Sequence, residues 1–105
     1  MEFRRFTRAP LEQPLEFVQK SSDGRAKGLA KDISVGGMFV QTDTPAAFGS
    51  DVVVYIVLPS DSKEIRLPGI VRWRAPGGMG VQFGLLGARE THAITEIVKK
   101  GEAGK

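Results

Sequence analysis

The chain contains no cysteine, which excludes disulfides, thiolate metal sites and a cysteine nucleophile. A single histidine, His92, is present, so imidazole ligands cannot cluster, and a surface place on a helix is the ordinary reading for it. Long apolar runs are missing too. The longest, Val52 to Leu58, is far too short to cross a bilayer. The arginines near the start are not followed by the apolar segment of a signal peptide, so a cytoplasmic domain without membrane insertion is expected. No phosphate loop of the P-loop or dinucleotide-binding kind occurs, since Gly77-Gly78-Met79-Gly80 joins two strands rather than opening a helix. Nor does any hydroxyl stand in a nucleophile–base–orienter pattern. Glu12 and Glu16 are paired carboxylates with no partner chemistry around them. These absences argue against an enzyme and against a metal or cofactor site.

What is present fits one soluble domain spanning residues 1–105, with an ordinary balance of apolar and charged residues. The net charge of +3 is mild but unevenly placed. Arg4, Arg5 and Arg8 crowd the first eight residues, and Arg72 and Arg74 flank the only tryptophan, Trp73. Such clusters suit an anionic partner, although a run of charge is also what a solvated face looks like.

In chain order, residues 1–9 read as a mobile arm, because they lack a period and meet Pro10 and Pro14 soon after. Six strands follow, at about 15–19, 25–33, 38–42, 51–58, 64–73 and 79–83, separated by turns rich in glycine, proline and serine. The stretch Asp51 to Leu58 is apolar on both faces, which predicts cover on both. Pro68-Gly69 reads as a bulge or edge kink. Leu86, Ala93, Ile94, Ile97 and Val98 then adopt helical spacing, and Lys99-Lys100-Gly101 reads as the helix end. The expected architecture is all-β: a six-stranded antiparallel barrel with a C-terminal helix over 86–100 lying on one face.

The most informative stretch is Lys31 to Val40. Gly36-Gly37 suits a tight turn with positive φ, and Asp32 and Ser34, two apart on a strand, share a face at its lip. Both could simply hydrogen-bond local backbone, as turn Asp and Ser commonly do. They could also recognise a ligand. Arginine forks fit phosphate oxygens and guanine O6 and N7, while a carboxylate accepts from guanine N1–H and the exocyclic amine. Arg4, Arg5 and Arg8 with Asp32, Ser34, Gly36 and Gly37 therefore hold tools for both ends of a guanine nucleotide. Trp73 could stack on a base or form part of the core or barrel wall; by alternation it shares a face with Val71, opposite Arg72 and Arg74. Met38, Phe39, Phe48 and Phe83 read as packing residues.

Arg4-Arg5-Phe6-Thr7-Arg8 resembles the Arg-x-x-x-Arg motif of PilZ domains, and Asp32-Ile33-Ser34-Val35-Gly36-Gly37 is similar to their Asp/Asn-x-Ser-x-x-Gly motif. The spacing between the two, and Gly78-Met79-Gly80-Val81-Gln82-Phe83 near the end, resemble the family as well. The resemblance implies a non-enzymatic receptor for cyclic di-GMP. By it, Arg4 and Arg8 grip guanine and phosphates, Asp32 and Ser34 hold a guanine edge, Gly37 makes room, and Arg5 adds charge at a variable position. The signal would pass to an unidentified protein partner. Two alternatives remain at this point: a PilZ-type protein-interaction adaptor that does not bind the nucleotide, and single-stranded nucleic-acid binding through the basic patches and Trp73. The motifs favour a dinucleotide over a nucleic-acid polymer.

Overall fold

A computed structural model describes residues 9–20, 24–59 and 63–103 of the chain, with side chains characterised to Lys99. Its elements are β1 (Ala9–Gln19), β2 (Ala26–Ser34), β3 (Gly37–Gln41), β4 (Asp51–Val57), β5 (Glu64–Ala75), β6 (Gly78–Phe83) and α1 (Ala88–Ala103). The strands close into an antiparallel barrel in the order β1-β2-β3-β6-β5-β4. Closure gives every strand two neighbours, leaving single-neighbour stretches only where adjacent strands are staggered, so a small sheet can satisfy most of its backbone groups without a second layer.

Alternation fills the interior. Leu15, Phe17, Ile33, Met38, Val40, Val54, Ile56, Leu67, Val71 and Val81 all point inward and are buried. Burying side chains of this size contributes on the order of 1.5–3 kcal/mol each, against the conformational entropy of ordering the strands. One inward row, Ala9–Ile33–Met38–Val81–Val71, crosses five strands by direct pairing. The next row out carries the candidate site.

β1 starts at Ala9, six residues before the sequence-based start at 15. Prolines were no obstacle there, because Pro10 and Pro14 pair only with β2 and the β4 ladder begins at Leu15. A strand with one neighbour needs no second set of donors. Pro68 obeys the same rule: it pairs with Val53 of β4, and β6 joins only from Gly69 onward. So the edge reading of Pro68-Gly69 holds and the bulge reading does not. The bulge in β5 lies further on, between Val71 and Trp73.

The helix also departs from expectation. Ala93, Ile94 and Ile97 form its buried stripe, with Leu86 and Val98 half-buried beside it. These residues pack α1 against β1, β2 and β5. β4 lies between β1 and β5 in the closed order, so the helix caps an end of the barrel rather than covering β4. The outer face of β4 relies on other neighbours. Val53 sits between Val18 and Pro68, and Tyr55 lies beneath the Arg25 guanidinium, 3.8 Å from its ring centroid. The helix runs past Gly101 to Ala103, so that glycine is not its cap. At the other end the Gly87 carbonyl accepts from the Thr91 N–H at 3.0 Å, and Glu90 in the first turn suits the positive end of the helix dipole.

Candidate functional site

Two interruptions of the strand ladder build the site. In β2, Ala30 pairs with Val40 and Asp32 with Phe39, leaving Lys31 as an extra residue. A bulge of this kind puts two successive side chains on one side. Ala30 and Ile33 are buried in the barrel, while Lys31 and Asp32 are half-exposed outside it. In a regular ladder, alternation from Ala30 through Lys31 would carry Asp32 into the core. In β5, Val71 pairs with Val81 and Trp73 with Gly80, leaving Arg72 as the extra residue. Val71 is fully buried and Trp73 is 38% exposed.

The second bulge overturns both the core reading of Trp73 and the face assigned to it. Trp73 does not share a face with Val71; it has joined Arg72 on the outside. Arg72 is turned to its neighbour strand, its Nε donating to Gln82 Oε1 at 2.7 Å.

Direct pairing now sets five residues in one outward row across β1, β2, β3, β6 and β5: Pro10, Asp32, Phe39, Gly80 and Trp73. Strands lie about 4.8 Å apart, so Asp32 and Trp73 are separated by about 14 Å of sheet. The Phe39 N–H donates to Asp32 Oδ1 at 3.3 Å, which fixes the carboxylate against β3.

The hairpin corner works differently from the expected glycine turn. Val35 and Gly36 lie between the paired residues Ser34 and Gly37. Neither Gly36 nor Gly37 has positive φ. Instead the Ser34 hydroxyl accepts the N–H groups of Gly36 at 3.1 Å and Gly37 at 3.2 Å, and itself approaches the Gly37 carbonyl at 3.4 Å. A serine of this sort holds a turn with its side chain. Ser34 is consequently 1% exposed. Gly37 leaves space, but for the protein itself: a Cβ there would stand 2.3 Å from the Val81 carbonyl oxygen. The Gly36 carbonyl accepts from the Phe83 N–H at 2.9 Å, tying the corner to β6.

Three residues given no place in the site by sequence belong to this face: Phe39, read as packing, and Gly78 and Gly80, read as turn residues and part of the late family-like segment. Phe39 is half-buried on the outside rather than in the core. Gly78 and Gly80, alternate residues of β6, present their bare backbone outward, and Phe39 and Trp73 occupy the space where their side chains would be. The signal was Gly-x-Gly at alternate positions of a strand, a face that neighbouring rings must cover. Met38 and Phe83 do pack in the core, whereas Phe48 is 68% exposed.

Arg4, Arg5 and Arg8 lie outside the described residues. The described chain begins at Ala9, which pairs with Ile33, and Pro10 pairs with Asp32. Arg4 is five residues from Ala9, a span of at most about 18 Å. Among the described residues no group of His, Asp and Glu side chains could hold a metal ion. No described helix is long and apolar enough to cross a membrane.

The PilZ domain family model matches residues 2–100, and the chain belongs to that family. No curated protein matches it. Among solved structures it is similar to the PilZ domain of CeSA from a cellulose-synthesising bacterium, with 23% identity and a TM-score of 0.72 over 90% of this chain and 97% of that one. It is similar also to the Bacillus subtilis inhibitor of motility MotI/DgrA, with 17% identity and a TM-score of 0.78, covering 97% of this chain and 52% of that one. The PilZ domain of YcgR from Escherichia coli, solved with c-di-GMP, gives 10% identity and a TM-score of 0.74 over 96% and 92% of the two chains. At these identities the likeness is one of fold.

Proposed function

We propose that this chain is a non-catalytic, cytoplasmic receptor domain for cyclic di-GMP that relays binding to a protein partner through a changed surface. The observation that carries the reading is the place of Asp32: outward on the barrel wall, and paired with Pro10, so that the arginine-bearing residues join the barrel beside it. The family supports the ligand class, and the YcgR domain bears c-di-GMP in its solved form.

In this reading the Asp32 carboxylate accepts from guanine N1–H and the exocyclic amine. Arg4 and Arg8 clamp guanine and phosphate with charge-assisted forks, and Arg5 adds positive charge. Ser34 and Gly36-Gly37 set the corner that a base abuts, and Trp73 offers an aromatic face. Ordering the arginine segment costs on the order of 1–2 kcal/mol per fixed residue, so micromolar affinity, roughly −8 kcal/mol, is expected. Calorimetric titration of the full chain with cyclic di-GMP tests this. A micromolar isotherm that weakens in Arg8→Ala and in Asp32→Ala supports it; no heat with a folded protein removes it.

One observation favours a second reading, an adaptor without the nucleotide. Ser34 and Gly37 both perform structural tasks in the β2–β3 corner, so two of the three Asp-x-Ser-x-x-Gly residues have a reason to be present without any ligand. The same titration separates the two.

A further inference from the structure

Gly80 meets its neighbour unusually closely. A Cβ built there would fall 2.0 Å from Trp73 Cε2, 2.1 Å from Cζ2 and 2.3 Å from Cδ2. Three ring atoms at nearly equal distance mean that the Cβ direction runs into the ring system rather than past its edge. The indole therefore lies face down on the Gly80 backbone, with its other face turned outward. Two residues back along β6, on the same face, a Cβ at Gly78 would fall 2.6 Å from Phe39 Cζ. Two rings from the two flanking strands thus lean over the same bare strand, in the row that also holds Asp32.

We infer that Gly80 is a positioning residue for ligand binding: by offering no side chain it seats Trp73 flat, as the far end of an aromatic floor on which a purine face rests while Asp32 reads an edge. The inference rests on the receptor reading above and adds to it the element that orients the ring. Flat, outward aromatic faces stack on bases whatever the base, because every base presents a π face. An alanine at 80 would have to push the indole off the strand. The β5 bulge at Arg72 turns Trp73 outward, and Gly80 then determines the tilt of its ring.

Trp73 is the only tryptophan, so its fluorescence reports the platform directly. Titration of the full chain with cyclic di-GMP is followed by calorimetry and by indole emission together. The expected result is quenching that tracks the heat. Gly80→Ala is expected to shift the emission of the unliganded protein and to weaken binding about tenfold, the worth of one stacked base. In a Trp73→Ala background, where the ring is gone and a Cβ has room, Gly80→Ala should change affinity by less than about twofold, because its effect passes through the indole.

Heat without any change in emission would overturn the platform while leaving the receptor reading intact, and it needs only the wild-type chain. An equal loss from Gly80→Ala with and without Trp73 would overturn the positioning role. So would a lowered melting temperature with wild-type affinity, which is what a merely structural glycine gives. No heat at all from the folded wild-type chain would sink the receptor reading itself.

Discussion

The barrel has two walls built to different rules. On one, β4 meets β1 and β5 residue for residue, with no register shift in either ladder. Val52, Val54 and Ile56 go in, and Val53, Tyr55 and Val57 go out. Its polar decoration closes on itself: Arg25 lies over Tyr55 and pairs with Glu16 at 2.9 Å, and that hydrogen bond, helped by Glu64 nearby, pushes the guanidinium up from its ordinary pKa. A groove of about 440 Å³ runs along this wall past Val18, Val53, Pro68, Ile70 and Leu85. On the other wall β2 and β5 each carry one extra residue, and immediately after each stands a side chain turned out of the core, Asp32 in one case and Trp73 in the other. A regular ladder makes a container; an interrupted one re-aims particular side chains.

The largest effect expected from breaking this comparison falls on the regular wall. Ile56 is fully buried where β4 pairs with both neighbours. Ile56→Ala should cost about 2–5 kcal/mol in urea unfolding, with the affinity of the folded fraction for cyclic di-GMP unchanged. An equal loss of affinity would mean that the two walls are coupled. Asp32→Ala should do the reverse. Removing a charged acceptor should cost about 1.5–3 kcal/mol of binding, while unfolding shifts less, because the Phe39 N–H it bonds is on a half-exposed face. Gly37→Ala falls between the two and tests the corner alone. Its Cβ would press on a backbone oxygen that cannot rotate away, so about 1–3 kcal/mol of stability should be lost to overpacking.

The same contrast explains what could be read in advance. Strand number, barrel class, final helix and the Asp32–Gly37 corner follow from alternation, turn residues and motif spacing, because those signals are local. The bulges were invisible. Lys31 and Arg72 are ordinary strand residues, and a ladder slip is determined by which partner a strand meets, not by the slipped residue. Strict alternation therefore puts Trp73 on the wrong face. The early start of β1 was hidden for a related reason: Pro10 and Pro14 look like breakers until it is known that the strand has a single neighbour there. A serine two residues before a Gly-Gly turn suits a ligand contact and a local bond equally, and the described geometry supplies the local bond. The helix outruns Gly101 because that glycine keeps a helical backbone instead of the positive φ of a C-terminal cap.

The smallest expected effect separates the bulge from the charge it carries. Lys31 pairs with Glu12, which belongs to the stretch of β1 where the β1–β2 register also shifts. The pair is surface-exposed, so Lys31→Ala should cost less than about 1 kcal/mol of stability. The backbone slip is set by the pairs Ala30–Val40 and Asp32–Phe39 on either side, and an alanine can occupy the extra position as well as a lysine. Asp32 should then stay outside the barrel, and affinity for cyclic di-GMP should change by less than about twofold at physiological salt. A loss as large as that of Asp32→Ala would assign the ammonium itself to the ligand. Titrating Lys31→Ala at low and at high salt decides between these outcomes, since a direct phosphate contact would make the difference from wild type shrink as salt rises.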